Sequence, residues 1–248
     1  MDNFIEFLYS KFLQSDGASV EPKQDHMVFI LDAEGENTQA QVDKALAAGA
    51  SYVVVGGLGR QTSDKVILSK TPVLEALREV AIFHRSRHKR KVIAVTGGAR
   101  QQEVINDLMD VLSQNYIVHT SKEQCNEVEV LLAILAIYPQ VEVTIIGMQA
   151  QNLGDVAALC QLVKQQYGLV TQFENTHMEA EESLRAYSEL LDYLRKTEGT
   201  PIINTNDPKQ QNMARRFQNA ILYSDEPSSH ESQTSDLTVS VGKAFNIQ

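Results

Sequence analysis

From residue 92 onward, short runs of β-branched and aliphatic residues alternate with longer stretches of helical period, a pattern few folds accommodate. VIAVT (92–96) leads into the helical QEVINDLMDVL, then YIVHT, EVEVLLAILAI and VEVTIIG (141–147). Asp155, Ala158, Leu159, Leu162 and Val163 mark the next helix face. GLVTQF, a charged helix over 179–197, PIINT, DPKQQNMARRF and AILYS complete the series. Strands that are apolar on both faces, each followed by a helix, form mostly parallel sheets covered on both sides. The predicted fold class is α/β, with a P-loop-type, mostly parallel sheet flanked by helices over 86–223.

The first part alternates less regularly. VFIL (28–31), a helix around 39–48, YVVV (52–55) and a helix around 73–88 predict a small N-terminal α/β domain over 1–85. Ahead of it, Phe4, Phe7, Leu8 and Phe12 recur at helical spacing. That segment carries Asp2 and Glu6 and no basic n-region, so an amphipathic helix is expected there rather than an export signal. After Ser224 the composition turns to SDEPSSHESQTSD, read as a flexible tail over 224–248 with DLTVSV (236–241) as a candidate edge strand.

Charge and hydropathy narrow the function. A net charge of −10 disfavours a non-specific nucleic-acid binder. The basic run HRSRHKRK (84–91) reads either as a phosphate or nucleic-acid patch or as a solvated helix end, and the second reading is favoured because cations suit a helix C-terminus. Pro139, Gln140 and Glu142 interrupt the longest apolar run, so no membrane span is expected and the cytoplasm is the expected location. Cys125 and Cys160 are too few and too far apart for a zinc site or disulfide framework, and reduced buried thiols are expected.

The strand ending in Thr96-Gly97-Gly98 runs into a helix, which is where a phosphate-binding loop belongs. Such loops need glycines for close backbone approach, a Lys to neutralise phosphate and a hydroxyl to hold magnesium. Here the stretch continues Ala99-Arg100-Gln101-Gln102-Glu103.

The order VIAVTGGARQQEV, CNEVEVLLAIL, VEVTIIGMQA, GLVTQFENTHME and INTNDP resembles the successive motifs of the Mur ligase central domain, most closely of the tripeptide–D-alanyl-D-alanine-adding type. VFILDAEGENTQAQVDKALAAGASYVVV is similar to that family's first domain. The family's loop reads T-G-[ST]-N-G-K-T-T. Carried over, Thr96 and Gly97 match, whereas the second Gly falls on Arg100, the Lys on Gln101 and the magnesium-binding Thr on Gln102, with Glu103 in place of a second hydroxyl. Asn126 survives from an Asn-Asn pair, the metal-binding Glu corresponds to Gly147, and the modified Lys aligns with Tyr187. His177, with Glu179 behind it, matches the A-H-x-E segment. Asn206-Asp207-Pro208 resembles the adenosine-contacting segment, although Asp207-Pro208 is equally a good helix start.

The uridine-diphosphate motif is not recognisable in GASVEPKQD, and Asp32-Ala33-Glu34-Gly35 stands where a K-G-E-N segment is expected. The family's C-terminal domain is expected to be absent. The resemblance with these replacements implies a catalytically inactive homologue, a scaffold or regulator linked to peptidoglycan precursor synthesis that binds a protein partner. The alternative is a small-ligand or nucleotide-binding module, and an ATP-dependent muramyl-peptide ligase is the least favoured reading. On this reading the chain is not an enzyme and holds no metal or cofactor beyond a weakly bound nucleotide or anion. Glu103 is expected to fill the empty loop by accepting backbone N–H groups at the helix start.

Overall fold

A computed structural model describes residues 3–31, 37–56, 63–121, 126–171, 173 and 178–224. The chain forms two compact units, Met1–Lys89 with Glu127–Tyr138, and Arg90–Asn126 with the chain from Pro139 onward. The Glu127–Tyr138 stretch thus folds with the first unit, a grouping that chain order alone does not reveal.

The first unit opens with α1 (Asn3–Phe12) and contains a parallel sheet, β1 (Ala18–Ser19), β2 (Met27–Phe29), β3 (Tyr52–Val55) and β4 (Val66–Leu68), in that spatial order. Helices α2 (Asn37–Ala47) and α3 (Val73–Arg87) complete it together with the Glu127–Leu135 helix. Val28, Val42, Ala45, Val53 and Val55 make its sheet-side core. Helix α1 forms as its spacing predicts, but its buried face is Ile5, Leu8, Tyr9 and Phe12. Phe7 instead stands 44% exposed beside the Lys11 ammonium. Strands β1 and β4 were not expected; two or three residues are too few to show a period.

The basic run closes α3. His84 is fully buried, with Nδ1 3.1 Å from the Tyr9 hydroxyl and Nε2 2.9 Å from the Ile137 carbonyl. A carbonyl only accepts, so Nε2 carries the hydrogen and Nδ1 accepts from Tyr9. Burial pushes the imidazole pKa down to about 4, which keeps it neutral. The Arg85 guanidinium donates to the His88 carbonyl at the helix end, and Arg87 lies 4.5 Å from the Phe83 ring centre. The Arg85 contact serves the helix terminus as the favoured reading expects, but His84 and Arg85 are buried rather than solvated.

From Arg90 the chain runs β5 (Lys91–Thr96), α4 (Gln101–Leu112), β6 (Val118–Thr120), α5 (Glu127–Leu135, which belongs to the first unit) and β7 (Val143–Met148). It continues with α6 (Asp155–Val163), β8 (Tyr167–Val170), α7 (Ala180–Thr197), β9 (Thr200–Asn204), α8 (Pro208–Ala214) and β10 (Ile221–Tyr223). The six strands lie in the order β10-β9-β8-β5-β7-β6 and every pairing is parallel. Ile93, Val95, Val143 and Ile145 form one core with Ile105 and Leu112 of α4. A Cβ on Gly168 would stand 2.7 Å from Leu194 Cδ1, so this glycine lets α7 lie close against β8. The expected α/β class and flanked parallel sheet are what the chain forms.

Strand β5 is the first of its sheet in sequence, yet it lies between β7 and β8. The chain leaves it toward β7 and β6 and returns on the far side to β8, β9 and β10. The carboxyl ends of β5 and its neighbours are therefore a topological switch point, where open α/β sheets bind ligands. Cys160 is buried on α6, and its thiol pKa is pushed up to about 12 by burial, an unreactive group. Cys125, the tail strand at 236–241 and the 32–35 segment lie outside the described residues. Among the described residues, no helix is long and apolar enough to cross a membrane.

Candidate functional site at the carboxyl edge of the six-stranded sheet

Residues 97–100 turn the chain from β5 into α4. Gly97 takes φ 140°, a value L side chains rarely adopt, so the glycine is required at this turn. Thr96 is buried, and its hydroxyl donates to the Met148 carbonyl at 2.8 Å. Gln101, the first residue of α4, is only 7% exposed. Its Nε2 donates to the carbonyls of Val95 (2.7 Å) and Met148 (3.1 Å). The position where the resemblance places a phosphate-binding Lys thus holds an amide turned inward, which fastens α4 to the ends of β5 and β7.

Glu103 does not do what its position suggested. Its carboxylate takes both Arg100 contacts, at 3.0 and 3.1 Å, and remains exposed. That guanidinium, hydrogen-bonded and close, holds the Glu103 carboxyl below its usual pKa. Glu at the third helical position commonly reaches back to the backbone N–H of the capping residue. Here that residue is Arg100, which offers no side-chain cap and presents a two-pronged cation that wins the carboxylate. Gln102 donates to Asn106 at 3.0 Å along the outer face.

The remaining expected site residues are distributed along the same edge or lie elsewhere. Gly147, next to last in β7, pairs with Val95, and its N–H donates to the buried Ser121 hydroxyl at 2.9 Å. Tyr187 is buried on the inner face of α7, and Asn126 is exposed just ahead of α5. His177 lies outside the described residues. Asp207 caps α8, accepting from the Lys209 N–H at 2.8 Å with Pro208 beginning the helix, and the Asn206 N–H donates to Asn204 Oδ1 at 2.9 Å. Asp207 thus makes the contact that the helix-start reading expects.

Three contributors were not singled out from the sequence. Gln210, 2% exposed, repeats the Gln101 device, its Nε2 donating to the Val170 carbonyl at 3.0 Å and its Oε1 accepting the Asn204 N–H at 3.1 Å. Ser121 holds Gly147. Glu189, on α7, accepts from the N–H groups of Gly154 (2.7 Å) and Ala157 (2.9 Å), capping α6 from another helix. A glutamine opening a helix after a strand is a weak local signal, and the partner of Glu189 is visible only once α6 and α7 are packed. Among the described residues, no group of three His, Cys, Asp or Glu could hold a metal ion.

Residues 70–248 match the family model of the Mur ligase middle domain. The chain belongs to the Mur ligase family. It is 29% identical over 200 residues to the UDP-N-acetylmuramoyl-tripeptide–D-alanyl-D-alanine ligase of a Synechocystis strain, covering 77% of this chain and 43% of the relative. It is 25% identical over 150 residues to the ligase of the same name from Rickettsia prowazekii, covering 60% of this chain and 33% of the relative. The chain thus spans less than half the length of these curated relatives. A crystal structure of MurF from Acinetobacter baumannii superposes with a TM-score of 0.69 at 14% identity, covering 89% of this chain and 52% of that one. MurF from Thermotoga maritima in complex with ADP gives 0.68 at 18% identity, covering 92% and 52%. These two structures share the fold of this Mur ligase chain.

The relatives correct one expectation. The replaced loop residues predicted that this Mur ligase homologue is not an enzyme, but the relatives it resembles are named as ligases. Nothing in the fold or the comparisons shows a loss of activity. Replaced residues at single loop positions do not by themselves establish that activity is lost.

Proposed function

We propose that this chain is the precursor- and nucleotide-binding part of a Mur-type ligase of the D-alanyl-D-alanine-adding kind, working in cytoplasmic peptidoglycan precursor synthesis, with Arg100 supplying the charge that the loop Lys supplies elsewhere. The observation that carries this reading is the position of Arg100. It stands just ahead of a 12-residue helix at the switch point of the sheet and keeps its guanidinium in an exposed pair with Glu103. Exposed pairs of this kind contribute little, so exchanging the carboxylate for a phosphate is inexpensive. A guanidinium matches phosphate oxygens with two parallel hydrogen bonds, and the N–H groups opening α4 add donors along the same axis. Gln101 takes no part in that contact; it holds α4 in place against β5 and β7.

The residues present do not match the metal-binding set that the resemblance describes, because position 147 offers no side chain and position 102 an amide.

The test is thermal unfolding with the UDP-linked muramyl tripeptide and with ATP, added singly and together. A ligand selective for the folded chain raises the melting temperature. The reading expects each to do so, and ATP to lose its effect in Arg100→Ala. No shift with either ligand overturns it.

A further inference from the structure

Magnesium bound beside a nucleotide is held by one or two carboxylates together with the phosphates themselves. At the carboxyl ends of β5 and β7 the described side chains are arranged differently. Gly147 has no side chain, and its N–H donates to Ser121 Oγ at 2.9 Å. Gln101 Nε2 donates to the carbonyls of Val95 and Met148, and the Thr96 hydroxyl donates to Met148 as well. A carbonyl oxygen has two lone pairs, so these two donors saturate Met148. Gln102 turns its amide to Asn106 along the outer face of α4. The oxygens that could face a cation here are thus already engaged by N–H and O–H groups. We infer that this chain takes up nucleotide phosphates without a magnesium ion, an inference that rests on Arg100 being the phosphate contact.

The charges along this edge point the same way. Glu103, the carboxylate closest in sequence to the loop, is held by the Arg100 guanidinium at 3.0 and 3.1 Å. Asp155 Oδ2 accepts the N–H groups of Gln151 and Asn152 at 2.9 and 2.8 Å, and Asp207 Oδ1 accepts that of Lys209 at 2.8 Å. These carboxylates serve helix starts or the guanidinium. A guanidinium and a dication on the same phosphate oxygens repel each other, so a site built on Arg100 gains nothing from adding the ion. Free ATP keeps the negative charge that magnesium would cancel, and it presents that charge to Arg100 and to the N–H groups opening α4.

The test is calorimetric titration of ATP into the full chain in two buffers of equal ionic strength, one with excess magnesium chloride and one with EDTA. The expected affinity in EDTA is at least equal to that in magnesium. Arg100→Ala should lower the affinity in EDTA by about tenfold or more, the scale of one charge-assisted contact. A second readout needs no nucleotide. Manganese added to the nitrogen-15-labelled chain should leave the amide signals of Thr96, Ser121 and Gly147 unbroadened. Weaker binding in EDTA than in magnesium, or selective broadening at those three amides, overturns this inference alone. Binding in neither buffer, or an unchanged affinity in Arg100→Ala, overturns the assignment of Arg100 and this inference with it.

Discussion

The side-chain amide of Gln101 donates to the main-chain carbonyl of Met148 across 3.1 Å, joining the first turn of α4 to the last residue of β7. The same nitrogen reaches Val95 at 2.7 Å, so one side chain ties a helix to two neighbouring strands of a parallel sheet. Gln101→Leu keeps similar bulk but removes the donor, leaving a buried carbonyl without it. The expected loss is about 1–3 kcal/mol of unfolding free energy, read by urea titration. Glu103→Ala, by contrast, should leave the melting temperature unchanged within error, because its carboxylate meets only Arg100 in solvent. A larger loss at Glu103 than at Gln101 would reverse the assignment of which residue closes the loop.

Glu189 and Gly154 make the second prediction. The carboxylate takes two N–H groups at the start of α6 from its place on α7, and each bond is charge-assisted. Glu189→Ala removes the acceptor from both donors and should cost about 0.5–2 kcal/mol, the scale of losing an N-terminal cap. Glu189→Gln keeps an acceptor and should recover part of it. Hydrogen exchange gives the location, with protection lost first at Gly154 and Ala157.

Stability should depend on pH through His84. Its folded-state pKa lies at about 4 against an ordinary 6.5, because burial disfavours the charged ring. The unfolded chain therefore binds the proton more readily, and stability is complete above pH 6.5. It falls as pH drops from 6.5 toward 4 and levels off below, by on the order of 3 kcal/mol. His119, also lowered by burial, acts in the same direction. Urea titrations at pH 7.5 and 4.5 should differ accordingly, and His84→Phe should flatten most of that difference. An unchanged slope in the variant would assign the pH dependence elsewhere.

The larger elements were legible because their signals are local and repeated. YVVV and VIAVT announce buried parallel strands, and the spacing of Leu159, Leu162 and Val163 gives the buried face of α6. Residues 18–19 and 66–68 gave no such repeat, and Phe7 was placed inside although its neighbours Ile5 and Tyr9 take the buried face of α1. At the site, the position of the loop was readable from Thr96-Gly97-Gly98, but which side chain closes it was not. Local helix rules favour Glu103, whereas the answer depends on the Met148 carbonyl, which only the folded sheet brings within reach of Gln101. Replaced residues at single positions likewise do not establish lost activity, since the relatives that this chain matches are named as ligases.

The claim that Arg100 carries the phosphate contact is tested most directly by calorimetric titration of magnesium ATP into the wild-type chain, Arg100→Ala and Glu103→Gln. The account predicts saturable binding by the wild type. It predicts a loss of affinity of about tenfold or more in Arg100→Ala, the scale of one charge-assisted contact, with an unchanged melting temperature. Glu103→Gln, which frees the guanidinium from its carboxylate, should bind more tightly than the wild type. Failure of the wild type to bind, or equal affinity in Arg100→Ala, would contradict it.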